Sequence, residues 1–268
     1  MLRATFGLLA AFLFGPVLWA EGSRRVPAPA YSASSIVNAA SNQAGPIAPN
    51  TIVSLYGSDL AFVTRAIVPD DLHGQVLPTT LSGTGVRVLI GKQNANLYFI
   101  SPTQINFLVP ASLIAGPADV QVGIDGRFGP AVRINLSPVA PALFQADAQF
   151  AVGTRPDGST ITKDQPAHPG DIIVLYATGL GIADRNLPDG KLPPMAFPIE
   201  RVAEFRVRIA GVLMDRSSVF YVGVTPGFAG LYQVNLKLPE DIAPNPEIRI
   251  GFDDQMSPGS VLFPVKIE

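Results

Sequence analysis

The sequence has no cysteine, two histidines and one tryptophan. The missing cysteines exclude disulfides, thiolate metal sites and a thiol nucleophile. Without cross-links, the chain must hold itself together by core burial, which domains of about 100 residues or more can do. Charge is also scarce, at 15% of residues with a formal net charge of −2. Basic residues are scattered, so neither nucleic acid nor an anionic membrane surface is an expected partner. One apolar run stands out, Leu8 to Leu18, broken by Gly15 and Pro16 and short for a bilayer span. Arg3 precedes it and Leu18-Trp19-Ala20 closes it, so residues 1–20 read as a cleaved signal peptide rather than an anchor. That places the protein outside the cytoplasm, with no integral membrane span after removal. The remainder contains no lipobox cysteine or sorting motif. Plentiful, by contrast, are proline (26) and glycine (25). That mixture fits short strands joined by tight turns.

The organising stretch is Gln104-Ile105-Asn106-Phe107-Leu108-Val109-Pro110, which returns as Gln233-Val234-Asn235-Leu236-Lys237-Leu238-Pro239. Both copies alternate in one phase, with Ile105, Phe107 and Val109 matched by Val234, Leu236 and Leu238. Alternation marks a strand with one buried face, and the proline ends it. A repeated strand implies a repeated domain. Residues 21–34 read as a flexible leader, 35–137 as the first domain and 138–268 as the second. Along the first domain, Thr51 to Gly57 and Gly85 to Gly91 alternate as strands, and Thr64 to Pro78 reads as a long loop with one helical turn. Asp125-Gly126 between Ala118–Ile124 and Ala131–Leu136 predicts a hairpin. About seven strands in roughly 100 residues is the count of an immunoglobulin-like sandwich. The second domain repeats the order. Pro169 to Leu180 echoes Pro49 to Leu60, Phe205 to Ile209 echoes Val86 to Ile90, Glu247 to Asp253 echoes Asp119 to Asp125, and Pro264 to Ile267 echoes Ala131 to Ile134. The fold class is therefore all-β, two tandem immunoglobulin-like sandwiches.

The copies differ in two places. Ser54 becomes Val174, which makes Ile172 to Leu175 apolar on both faces. That second face packs on the neighbouring domain or under a local loop. The later copy also inserts Pro226-Gly227-Phe228-Ala229-Gly230-Leu231-Tyr232 before its repeated strand, which reads as a mobile or protruding tip.

The segments "SLYGSDLA", "VRVLIGKQNANLYFISPTQINFLVP" and "ADVQVGIDG" resemble the IPT/TIG branch of immunoglobulin-like domains. More closely, "IVNAAS", "IAPNTIVSLYGSDLA", "HPGDIIVLYATGLG", "PDGKLP" and "PGFAGLYQVNLKLP", in that order, resemble the paired-domain module at the C-termini of secreted proteins of Acidobacteria, Solibacter types among them. The resemblance covers Ser34 to Glu268 and implies the fold and an extracytoplasmic setting. It implies no catalytic residues. Asn50 stands where that pattern has glycine, and asparagine tolerates the left-handed turn.

Catalytic chemistry finds little footing. His73 and His168 both adjoin turn residues, and there is no Gly-x-Ser-x-Gly elbow. Gly57-Ser58-Asp59 becomes Ala177-Thr178-Gly179 in the repeat, a swap that suits a turn and not a nucleophile. Asp70-Asp71 and Asp253-Asp254 lack the spacing of calcium loops and read as solvated turns. No catalytic residue, metal ligand or cofactor is assigned. Tyr56 and Tyr176 read as structural, with rings in the sandwich. Phe228 and Tyr232 are the candidate binding residues for a protein or glycan at the cell envelope. The competing reading is that Phe228 closes the second sandwich or the seam between domains. The expected role is a non-catalytic binding or structural module. An accessory carbohydrate-binding module is the alternative, and a secreted hydrolase the third reading.

Overall fold

The computed structural model describes residues 27–147, 149–183 and 187–267. The expected signal peptide, 1–20, and leader residues 21–26 lie outside the described residues. The chain forms two tandem antiparallel β-sandwiches, and its helical turns among the described residues are short 3-10 segments. One of them, Pro69–Asp71, is the turn expected in the long loop.

In the first sandwich one sheet runs Gln43–Ala44, Ile36–Asn38, Ile52–Tyr56, Gln104–Leu108, Asn96–Ile100, Arg65–Ala66. The facing sheet runs Arg127–Phe128, Gly116–Ile124, Val86–Ile90, Gln93–Asn94, with Val132–Leu136 also on Gly116–Ile124. Asp125 and Gly126 both take positive φ, 47° and 81°, as the expected two-residue hairpin requires. In the second sandwich Ile172–Thr178, Tyr232–Lys237 and Val219–Val224 lie side by side, opposite Arg206–Ile209 and Ile248–Phe252. Each core is filled by the inward residues of both sheets. Ile105, Phe107 and Val109 are at most 1% exposed, as are Val234, Leu236 and Leu238. The Phe205 and Phe252 rings meet edge to face at 5.9 Å in the second core.

The repeat holds at the level of register. Leu108 opposes Ile52 and Gln104 opposes Tyr56; Lys237 opposes Ile172 and Gln233 opposes Tyr176. Arg87 opposes Gly123 as Arg206 opposes Gly251. The left-handed positions also repeat, Asn50 (φ 60°) with Gly170 (78°) and Asp59 (55°) with Gly179 (77°). Asparagine thus keeps, in the first sandwich, the left-handed turn that Gly170 makes in the second.

Several expectations need correction. The last strand of the repeat is displaced by four residues. Glu247 bridges Leu262 where Asp119 pairs Arg133, and Ala167 bridges Val265 where Ile47 bridges Leu136. Val265 therefore matches Leu136, not Val132. Tyr56 is 38% exposed, and Tyr176 is half-buried with its hydroxyl 3.3 Å from Thr154 Oγ1. Both rings lie on the outer face, because their cross-strand partners are the outward Gln104 and Gln233. Asp71 is buried rather than solvated. It takes the Val68 N–H at 2.9 Å and Arg65 Nη2 at 2.7 Å, and these bonds hold its carboxyl below the usual range.

The leader is not flexible from Pro29 onward. Ala30 exchanges backbone bonds with Ser58, at 3.0 and 2.9 Å. The Tyr31 hydroxyl donates to Pro130 O (2.6 Å) and accepts from Val122 N (2.7 Å). Gly57 and Gly129 allow the approach, since a Cβ on either would meet Ala30 O or Pro29 O within 2.6 Å. In the second sandwich Ala142 pairs with Thr178, the repeat partner of Ser58. Ala28-Pro29-Ala30-Tyr31 is thus the counterpart of Ala140-Pro141-Ala142-Leu143. Each sandwich is entered by the same strap.

Candidate functional site: the interdomain seam and its aromatic tip

The motifs that repeat imperfectly converge between the two sandwiches. At the end of strand Ile172–Thr178, the Thr178 hydroxyl donates to Gly230 O (2.8 Å) and accepts from Ile52 N of the first sandwich (3.0 Å). Asn50 Nδ2 donates to the Tyr232 hydroxyl at 2.8 Å, and that hydroxyl donates to Gly181 O. The Tyr98 hydroxyl reaches Ala229 O at 2.5 Å. Burial raises the phenol pKa of both Tyr98 and Tyr232, with the Asn50 bond opposing it at Tyr232. Leu77, Leu108 and Ala229 form a small apolar core of their own, with Ile52, Ile67, Leu72, Tyr98 and Leu192 around it.

A second band of bonds uses the "PDGKLP" motif. Leu77 N donates to Gly190 O (2.9 Å) and Leu192 N to Gln75 O (2.8 Å), which makes a short antiparallel bridge between the sandwiches. Lys191 Nζ donates to Gly74 O at 2.5 Å, and Asp189 accepts from Ser112 N at 3.0 Å. Gly190 (φ 72°) sits where a Cβ would strike the Asn96 amide at 2.4 Å. Gly230 (φ 71°) faces Leu108 Cδ1 at the same distance. Only glycine permits either approach.

These placements settle several expected contacts. Val174 is half-buried and Ile172 is 44% exposed, so the outer face of their strand does not carry the seam. The contact falls instead at its Thr178 end. Tyr232 is fully buried, a correction to its candidacy as a binding residue. Its ring belongs to the second core and its hydroxyl to the seam. Phe228 is 55% exposed and does not close the seam; its neighbour Ala229 does. Nor is the tip loose. Phe228 N donates to Thr225 O at 3.2 Å across Pro226-Gly227, with Gly227 at φ 79°, a type II turn. Gly227 N is fixed to Pro193 O at 2.8 Å. The exposed Pro194 and Met195, 59% exposed, follow that anchor in sequence.

Beside Pro138 and Val139, the residues Pro49, Leu113, Ile114, Leu180, Ile182 and Arg201 line an apolar cleft of about 260 Å³. His168 Nδ1 lies 3.8 Å from Asp171 on the surface, and His168 N donates to the same carboxylate at 2.8 Å. No three His, Cys, Asp or Glu side chains among the described residues are grouped to hold a metal ion. No described helix is long and apolar enough to cross a membrane.

Residues 35–140 match the IPT/TIG domain family. That match spans the first immunoglobulin-like sandwich, whose register the second repeats. No curated protein matches the chain. Among solved structures, it is similar to the SGBP-B of the Bacteroides ovatus mixed-linkage glucan utilization locus in complex with a mixed-linkage heptasaccharide. Identity is 10%, coverage 89% of this chain and 47% of that one, and TM-score 0.36. The surface glycan-binding protein of Prevotella bryantii gives 10% identity, 87% and 41% coverage, and TM-score 0.26. Domains 5–6 of the S-layer protein SbsC give 8% identity, 88% and 98% coverage, and TM-score 0.27. The chain spans less than half the length of the first two structures.

Proposed function

We propose that this chain is a non-catalytic binding module of the cell envelope or extracellular space, in which two sandwiches are locked together to present one rigid aromatic tip. The observation that carries this reading is the Phe228 turn. A large apolar ring stands 55% exposed on a type II turn tied by backbone bonds to the seam. An ordered aromatic costs little entropy to bury, so it suits a recognition contact. Arg3 and the apolar segment Leu8 to Leu18 support the extracytoplasmic setting. A protein partner is the first reading and a glycan the second, since an exposed ring serves both.

The test is retention on immobilised wild-type and Phe228→Ala chains, with envelope protein and soluble polysaccharides offered separately. A Phe228-dependent protein partner supports the first reading, and Phe228-dependent polysaccharide the second. Identical retention on both chains would overturn the tip as the contact.

A further inference from the structure

One edge of the first sandwich carries two arginines that no carboxylate among the described residues matches. Arg127–Phe128 is the edge strand after the Asp125-Gly126 turn. Adjacent strand residues point to opposite faces, so one arginine–aromatic pair lies on each side of it. On the outer face Phe128 lies across from Gly123, and Gly123 across from Arg87. A Cβ on Gly123 would be 2.7 Å from Phe128 Cε1, so the ring fills the space the missing side chain leaves. It rests on the strand, 42% exposed, with the Arg87 guanidinium carbon 5.7 Å from its centroid. On the other side the Arg127 guanidinium carbon lies 5.4 Å from the centroid of Phe62, itself 53% exposed. Arg127 Nε is buried without a hydrogen-bond partner.

Arg208 and Arg249, also on strands, spend donors on the backbone carbonyls of Gly211 and Ser257, and two further strand arginines are neutralised. Arg133 is 2.5 Å from Asp119, and Arg206, the repeat partner of Arg87, is 3.2 Å from Asp253. The repeat partner of Phe128 is Met256. In the second sandwich the ring-bound cations Lys163 and Arg201 are paired with Asp147 and Glu204, so among the described residues only the first sandwich combines a ring with an unmatched cation. A guanidinium held by a ring keeps its charge and its forked donors for an outside carboxylate. An exposed ring offers a flat apolar face to stacked C–H bonds. A chain that alternates rigid ring faces with carboxylates satisfies both. An acidic peptide supplies the charge without the faces.

We propose that Arg87–Phe128 and Arg127–Phe62 form a binding edge for an acidic polysaccharide, a uronate-type pyranose resting on Phe128 with its carboxylate on Arg87 and the chain crossing the edge strand to Arg127. This edge is separate from the Phe228 tip and does not depend on it.

The experiment is affinity electrophoresis of the purified chain in native gels containing de-esterified polygalacturonate, with poly-L-glutamate gels in parallel. Polygalacturonate retards the wild type. Arg87→Ala, Arg127→Ala and Phe128→Ala each weaken binding about tenfold. Arg87→Lys, which keeps the charge and loses the fork, weakens it too and leaves the packing at Gly123 intact. Arg216→Ala, an exposed arginine on another turn, leaves it unchanged. Absent retardation of the wild type, equal retardation by polyglutamate, or an equal loss in Arg216→Ala overturns the proposal.

Discussion

Leu108 and Lys237 hold the same position in the two sandwiches, yet one is buried and the other is in water. Leu108 opposes Ile52 and lies under Ala229 and Gly230; Lys237 opposes Ile172 and pairs with Glu240 at 2.9 Å. The first sandwich's outward face at this point is the docking face for its neighbour, while the second sandwich's is open. Leu108→Lys therefore buries an unpaired charge at the seam and costs about 3 kcal/mol. The sandwiches separate before they unfold, which a larger radius of gyration and a split calorimetric transition would register.

Gly230→Ala places a Cβ 2.4 Å from Leu108 Cδ1 at a φ of 71°. Left-handed strain alone costs about 1 kcal/mol, and the contact adds to it. The melting temperature drops by several degrees. Gly227→Ala, with a similar φ and open space around it, drops it less. Equal drops in differential scanning fluorimetry would refute the close approach.

Burial raises the phenol pKa of Tyr98 and Tyr232 above the ordinary 10.0. For an acid whose folded pKa is raised, the protonated form belongs to the folded state. Its contribution is complete below the unfolded pKa and is lost as pH rises through the folded one. Stability is therefore flat toward neutral pH from these two groups and falls from about pH 10 upward. Denaturant melts across that range show the fall, and it shrinks in Tyr98→Phe and Tyr232→Phe.

The buried face of the repeated strands was legible in the sequence because alternation and terminal prolines leave one phase for each strand. The four-residue offset at Val265 was not, because Val261, Phe263 and Val265 are all buried and a shift by an even number keeps the pattern. Tyr232 was misplaced for a different reason. An aromatic among glycines reads as a tip, but the glycines Gly227 and Gly230 serve a turn and a close approach, and Tyr232 already begins the strand. Only Phe228 keeps the exposure expected of the pair. The strap at Pro29 to Tyr31 escaped notice because a proline- and alanine-rich stretch has no period; its anchors, Ser58, Val122 and Pro130, are distant in the chain.

Tyr31→Phe removes a hydroxyl that both donates and accepts, and leaves the Val122 N–H without it. The expected cost is about 1–2 kcal/mol. Hydrogen exchange locates the loss at Val122 and along the strap. Unchanged protection there would show that the strap is held by its Ala30–Ser58 bonds alone.

Phe228→Ala leaves stability within about 0.5 kcal/mol, because the ring is exposed and the turn is held by backbone bonds. A larger drop in chemical denaturation would mean that the ring supports the seam.

The strap also bears on where this kind of unit begins. Since Ala28 to Tyr31 matches Ala140 to Leu143, the segment joining the two sandwiches, residues 137–141, runs straight into the opening strand of the second, Ala142–Leu143. A cassette cut before Pro27 would carry its own joint wherever it was inserted. One cut at Ser34 would leave that joint behind and arrive with a bare edge at Ser58.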